Sequence, residues 1–138
     1  MGRILAIDYG TKRTGFAVTD PMKIIASSLE TVQTNVAMQF IKDYLAKEEV
    51  DQFVIGLPVG LDGLETDNTK PTKSFAKKLQ QNFPNIPLAY IDERFTSKMA
   101  EQSMLASGMK KKDRRVKGNV DKISAAIILQ SYMDQQSF

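Results

Sequence analysis

Asp8 follows the run Arg3-Ile4-Leu5-Ala6-Ile7 and precedes Tyr9-Gly10-Thr11-Lys12-Arg13-Thr14-Gly15, in a chain of 138 residues with neither histidine nor cysteine. Without imidazole or thiol, a Ser-His-Asp triad, a cysteine nucleophile and a nitrogen- and sulfur-ligated zinc site are all excluded. Carboxylates and hydroxyls must carry any catalysis, and their oxygens suit Mg²⁺ or Mn²⁺. The partner acids for Asp8 are sought at Asp92-Glu93 and Asp121. Each has a plainer role available: an Asx-turn onto Gly10 for Asp8, a solvated strand end for Asp92 or Glu93, a helix cap for Asp121. Jointly they suggest more, because the acids would repel one another unless a divalent cation lay between them.

The elements that must position these acids are legible as hydrophobic periods. Strands are predicted at Arg3 to Asp8, Thr14 to Thr19 and, more weakly, Ile24 to Thr31; the links are too short for crossover helices, so the three form an antiparallel meander. Val36, Phe40, Ile41, Tyr44 and Leu45 recur at helical spacing, with Asn35 as the expected N-cap. A buried strand follows at Gln52 to Gly56, then a Gly- and Asp-rich loop from Pro58 to Thr69. A second helix is read over Pro71 to Phe83, a fifth strand over Pro87 to Ile91, a third helix from Thr96 or Ser97 to near Gly108, and a last helix from about Asn119 to Met133. This order predicts one α/β domain spanning 1–138: a mixed five-stranded sheet, three antiparallel strands then parallel ones, with helices on both faces. Open sheets place sites at the carboxyl ends of their strands, where Asp8 and Asp92-Glu93 fall. Asp121, expected in the first turn of the last helix, reaches Asp8 if Ser124, Ala125 and Ala126 let that helix approach the sheet.

The net charge of +3 is unevenly spread. Lys110-Lys111-Lys112-Asp113-Arg114-Arg115-Val116-Lys117-Gly118 concentrates it just before Asp121, which points to a polyanionic partner beside a metal site, the alternative being a solubilising loop. The plainer role for Gly10 and Gly15 is that of turn residues, while Lys12 and Arg13 at the tip are placed to touch a phosphate. The pattern argues against a Walker-type phosphate loop, because Phe16-Ala17 stands where Lys and Ser/Thr are required and no helix is expected there. The lack of cysteine, of a secretory signal and of a membrane-length apolar run makes a cytoplasmic protein without membrane partners the expectation.

Ile7-Asp8-Tyr9-Gly10-Thr11-Lys12 with Gly15, Gly56-Leu57-Pro58, Asp92-Glu93-Arg94-Phe95-Thr96-Ser97, and Lys117-Gly118 leading to Asp121 and Ala125-Ala126-Ile127-Ile128-Leu129-Gln130 together closely resemble the YqgF family, also called RuvX. The resemblance implies a ribonuclease H-like fold and a nuclease acting on the 5′ end of the small-subunit ribosomal RNA precursor or, alternatively, a Holliday-junction resolvase. Carried over by motif, Asp8, Glu93 and Asp121 become the catalytic and metal-binding acids, and Arg94 and Thr96 line the site. Glu93 is expected to replace the acid that many ribonuclease H-like nucleases carry where this chain has Gly56-Leu57-Pro58. The mechanism expected is two-metal hydrolysis with Mg²⁺ or Mn²⁺. Lys12, Arg13, Lys111, Lys112, Arg114, Arg115 and Lys117 would hold the RNA, or branched DNA, by its phosphates. A ribosomal precursor particle is a further expected partner, and the chain would act as monomer or homodimer. Two rivals remain open: a nucleotide hydrolase related to actin and the sugar kinases, and an RNA-binding assembly factor with vestigial acids.

Overall fold

The computed structural model describes residues 2–58, 66–92 and 117–136, and within the last stretch the side chains of 124–135. Its centre is β1 (Arg3–Asp8), whose Ile4, Leu5, Ala6 and Ile7 are all buried, as a strand covered on both faces requires. β2 (Arg13–Thr19) and β3 (Ala26–Gln33) add successively antiparallel on one side, β4 (Val50–Leu57) and β5 (Leu88–Asp92) successively parallel on the other. The resulting order is β3-β2-β1-β4-β5. The short links at the start of the chain and the two helical crossovers after β3 and β4 thus produce the mixed sheet expected.

Alternation along β1 sorts the core into two layers. Leu5 and Ile7 pack with Phe16, Phe53 and Ile55 under α1 (Ala37–Lys47) and α2 (Thr69–Asn82), which contribute Ala37, Ile41, Phe75, Ala76 and Leu79. Ile4 and Ala6 face the other way, with Ala17, Val54 and Ile91, against Ala125, Ile128 and Leu129 of α3 (Lys117–Gln136). Each fully buried Leu, Ile or Phe contributes about 1.5–3 kcal/mol, so both layers anchor β1 firmly.

Several boundaries move for identifiable reasons. β3 begins at Ala26 instead of Ile24, because the Asp20 carboxylate accepts the N–H groups of Met22 (3.1 Å), Ile24 (2.8 Å) and Ile25 (2.7 Å) and holds that stretch in a loop. Asn35 is not a cap: it lies within a 3-10 turn, Thr34–Val36, and α1 starts at Ala37 without a side-chain cap. α2 begins at Thr69, leaving Pro71 in the first turn, where a missing N–H costs no helical bond. Gly15 lies within β2, as the strand expected over Thr14 to Thr19 implies, and pairs with Asp8, which leaves the plainer role of a turn residue to Gly10. The expected helix from Thr96 or Ser97 to Gly108 lies outside the described residues. No described helix is long and apolar enough to cross a membrane.

Candidate active site at the carboxyl ends of the strands

Asp8 is the last residue of the central strand and continues the Ile4, Ala6 alternation, so its side chain projects from the sheet face that α3 covers. Its surroundings there are small. Gly15 is its direct antiparallel partner. On the other side, one step beyond the Ile7–Ile55 pair, β4 offers Gly56. A carboxylate flanked on both neighbouring strands by glycine has room beside it, and close approach of a ligand or another backbone is one of the reasons for glycine within a strand.

α3 approaches the same face through small residues. Ala125 is fully buried against the sheet, with Ala126 packed beside it. The helix begins at Lys117, so Asp121 is its fifth residue and lies one turn before Ala125. This corrects two sequence readings. Asp121 is not in the first turn, and Lys117-Gly118, read as the end of a helix-poor basic loop, is already helical. Gly118 costs a helix about 1 kcal/mol relative to Ala and does not stop it.

Asp92 ends β5 opposite Leu57. Ile91 belongs to the layer under α3 whereas Leu88 packs in the layer under α2, so Asp92, exposed, projects from the face opposite Asp8. Of the pair Asp92-Glu93, Asp92 therefore cannot join Asp8. Glu93 lies outside the described residues, as do Arg94, Thr96, Lys111, Lys112, Arg114 and Arg115. Among the described residues no three potential ligands converge as a metal cluster.

The β1–β2 link carries the basic residues of the sheet end. Thr34 fastens it: its hydroxyl donates to the Gly10 carbonyl oxygen (2.5 Å) and shares a hydrogen bond with the buried Thr14 hydroxyl (3.0 Å), while its N–H donates to the Lys12 carbonyl (2.9 Å). A Cβ on Gly10 would run into the Arg13 carbonyl oxygen, so glycine is needed here for space. Lys12 is exposed and Arg13 half-buried as the first residue of β2. With Thr11, Gln33 and Asn35 they line an open depression of about 370 Å³. Gln33, Thr34 and Asn35 were not anticipated as site elements, since only the β2–β3 pairing, Arg13 opposite Gln33, brings them there.

A carboxylate on the middle strand of a mixed sheet, at the end where a basic link is clamped, is the layout of the resolvase-like ribonuclease H architecture. Solved structures agree on the fold. The chain superposes on Thermus thermophilus RuvC in complex with Holliday junction substrate with a TM-score of 0.62, at 15% identity, covering 99% of this chain and 98% of that one. The Fowlpox virus resolvase with junction DNA gives 0.59 at 13% identity, covering 99% of both. The family model RuvX, described as Holliday junction resolvase, matches residues 2–135, and the chain belongs to that family. Relatives carrying the name "Putative pre-16S rRNA nuclease" include one from Porphyromonas gingivalis, 54% identical over 97% of both chains, and one from Bacteroides thetaiotaomicron, 49% identical over the full length of both. The chain is thus a member of a nuclease family that hydrolyses phosphodiester bonds, as its motifs led one to expect.

Proposed function

We propose that the protein is a metal-dependent endonuclease that trims the 5′ end of pre-16S rRNA during ribosome assembly in the cytoplasm. The names of relatives about half identical along the whole chain support the substrate. The observation that carries the site is Asp8 at the end of the central strand, flanked by Gly15 and Gly56 and facing α3.

Asp8, Glu93 and Asp121 would hold the cation. Donor chemistry fits: the chain has only oxygen donors among the strong ligand types, which suit Mg²⁺ or Mn²⁺, and the glycines leave space beside Asp8. When bound, such an ion supplies charge neutralisation at the phosphate and a water of lowered pKa. The chain's own groups do the rest. Asp8, rooted in a strand buried on both faces, sets the position of the reacting phosphate. Glu93, the residue after β5 in the sequence, is the partner proposed on the family motif, since Asp92 projects from the opposite face. Asp121 comes from α3, one turn before the buried Ala125. Lys12 and Arg13 bind phosphate at the sheet end, and Arg94, Thr96, Lys111, Lys112, Arg114, Arg115 and Lys117 extend that contact along the strand. The contacts made by Lys and Arg hold the backbone and carry little sequence information, so selectivity falls to RNA shape and the precursor particle.

The test is cleavage of precursor rRNA and of a four-way DNA junction side by side, with Mg²⁺, Mn²⁺ and chelator. Asp8→Asn and Glu93→Gln should abolish divalent-dependent cleavage of the RNA while leaving metal-free stability equal or higher, since mutual repulsion is relieved. Variants that cut at the parent's rate would refute the site. A second reading, resolution of branched DNA, is favoured by the family description and the fold likeness to RuvC; it predicts that the junction is cut in preference to the RNA.

A further inference from the structure

α2 reads Thr-Lys-Pro-Thr-Lys-Ser-Phe-Ala-Lys-Lys-Leu-Gln-Gln-Asn and holds four lysines without one acidic residue. Thr72, Phe75, Ala76 and Leu79 form its buried stripe. At about 100° per residue, Lys70 and Lys77 stand diametrically opposite that stripe, with Lys73 and Lys78 on either flank, and all four are exposed. A solvated helix ordinarily mixes charge of both signs, as α1 does with Lys42, Asp43 and Lys47. α2 is a ridge of one sign.

Its placement matters as much as its charge. The Thr69 hydroxyl donates to the carbonyl of Pro58, the residue that follows β4, so α2 starts at the same end of the sheet as Asp8. Its far end is fixed where Phe83 packs edge-on against Phe53 near the start of β4, at 6.0 Å between ring centroids. The ridge therefore leaves the candidate active-site end and runs down the face opposite Asp8. Lys70 and Lys77 are about 10 Å apart along the axis, the span of about three phosphates per strand of a duplex. The helix has no exposed ring on which a base could stack; its aromatic residue, Phe75, is turned into the core against Tyr9, 5.0 Å between centroids. Single-stranded RNA is gripped chiefly through such stacking, whereas helical RNA is held through phosphates and 2′-hydroxyls by lysines and small polar groups such as Ser74 and Gln81.

We propose that α2 is a second nucleic-acid surface, which holds the double-helical flank of the RNA substrate by its phosphate backbone while the cleaved segment lies at the Asp8 end. This rests on the nuclease reading above. The experiment uses the full chain and two probes, a single-stranded RNA 20-mer and the same RNA with a 20-base-pair helical flank, with affinity measured over a range of salt. The triple variant Lys70→Gln/Lys77→Gln/Lys78→Gln should lose about 2 to 3 units from the log affinity against log salt slope on the flanked probe, at 0.7 to 0.9 per lost contact, and leave the slope on the 20-mer unchanged. The matching Lys→Arg triple should keep the parent slope on both. Unchanged slope on the flanked probe, or equal loss on both probes, would overturn the assignment. Failure of the nuclease reading shows separately, as a parent protein that binds the flanked RNA with its steep slope and cuts no RNA with any divalent ion.

Discussion

Thr34 is the hinge pin of the basic link, and Thr34→Val tests whether that link is built or merely tolerated. The substitution keeps shape and removes a hydroxyl that serves the Gly10 carbonyl at 2.5 Å and the Thr14 hydroxyl at 3.0 Å. Losing the first bond removes about 1 kcal/mol, and leaving the fully buried Thr14 hydroxyl short of that partner adds a penalty of similar size or more. The expected loss is about 2 kcal/mol, read from urea unfolding midpoints at constant m and equivalent to about 6–8 °C in melting temperature for a chain of this size. Adding Thr14→Val removes the stranded partner, so the double variant should be more stable than the sum of the single losses by about 1 kcal/mol. The Thr34 N–H to Lys12 carbonyl bond survives in every variant and keeps the link from unravelling. A loss under about 0.5 kcal/mol, or strict additivity, would refute the clamp that the hydroxyl makes on Gly10 and Thr14.

Gly10→Ala should destabilise by about 1–3 kcal/mol, because the neighbour that the new methyl meets is the Arg13 backbone carbonyl and cannot rotate away; RNA affinity should fall with it, and parent-like stability would show that the link has slack. Acid sensitivity should concentrate in the β2–β3 loop. The Ile25 N–H, followed by those of Ile24 and Met22, holds Asp20 below the usual carboxylate range; the Lys23 ammonium at 2.9 Å and then the Gly2 N–H do the same for Asp51. Both pKa values are depressed on folding, so their stabilisation is complete above about pH 4, the unfolded value, and disappears as pH falls through the lower folded values. Asp20→Asn and Asp51→Asn should therefore flatten the stability profile below about pH 4 and leave its slope between pH 5 and 7 unchanged; profiles that coincide with the parent's in acid would refute the pairing.

How much of this was legible depended on what each signal reports. The run Ile4 to Ile7, apolar on both faces, marks a central strand, and its last residue is then a strand-end carboxylate by counting alone. Link lengths gave the antiparallel and parallel halves of the sheet. By contrast, Leu88 to Ile91 is apolar at every position, so no alternation says which face Asp92 takes; only the contact of Ile91 with the α3 layer decides it. The weight of Gly56 was likewise hidden: it reads as the end of a buried strand, and only the Ile7–Ile55 pairing sets it level with Asp8. The onset of α3 was missed because Gly118 looked like a boundary, and tertiary burial of Ala125, Ile128 and Leu129 outweighs one poor helix former.

The two faces of the sheet explain why the carboxylate sits where it does. The α1 and α2 face is filled by Phe16, Phe53, Phe75 and Leu79, residues that bury large areas and fix β1 in position. The Asp8 face near the strand ends is built from Ala6, Ala17, Gly15, Gly56 and Ala125, which occupy little volume and let α3 lie close. Aspartate is a short side chain: it can share a site with a residue from another element only if that element packs close to the sheet. Larger residues on this face would lift α3 from the sheet and, in the site proposed above, carry Asp121 away from Asp8. Small residues here are consequently a condition of the proposed site as much as of the fold, and enlargement of Ala17 or Ala125 is the substitution that separates the two.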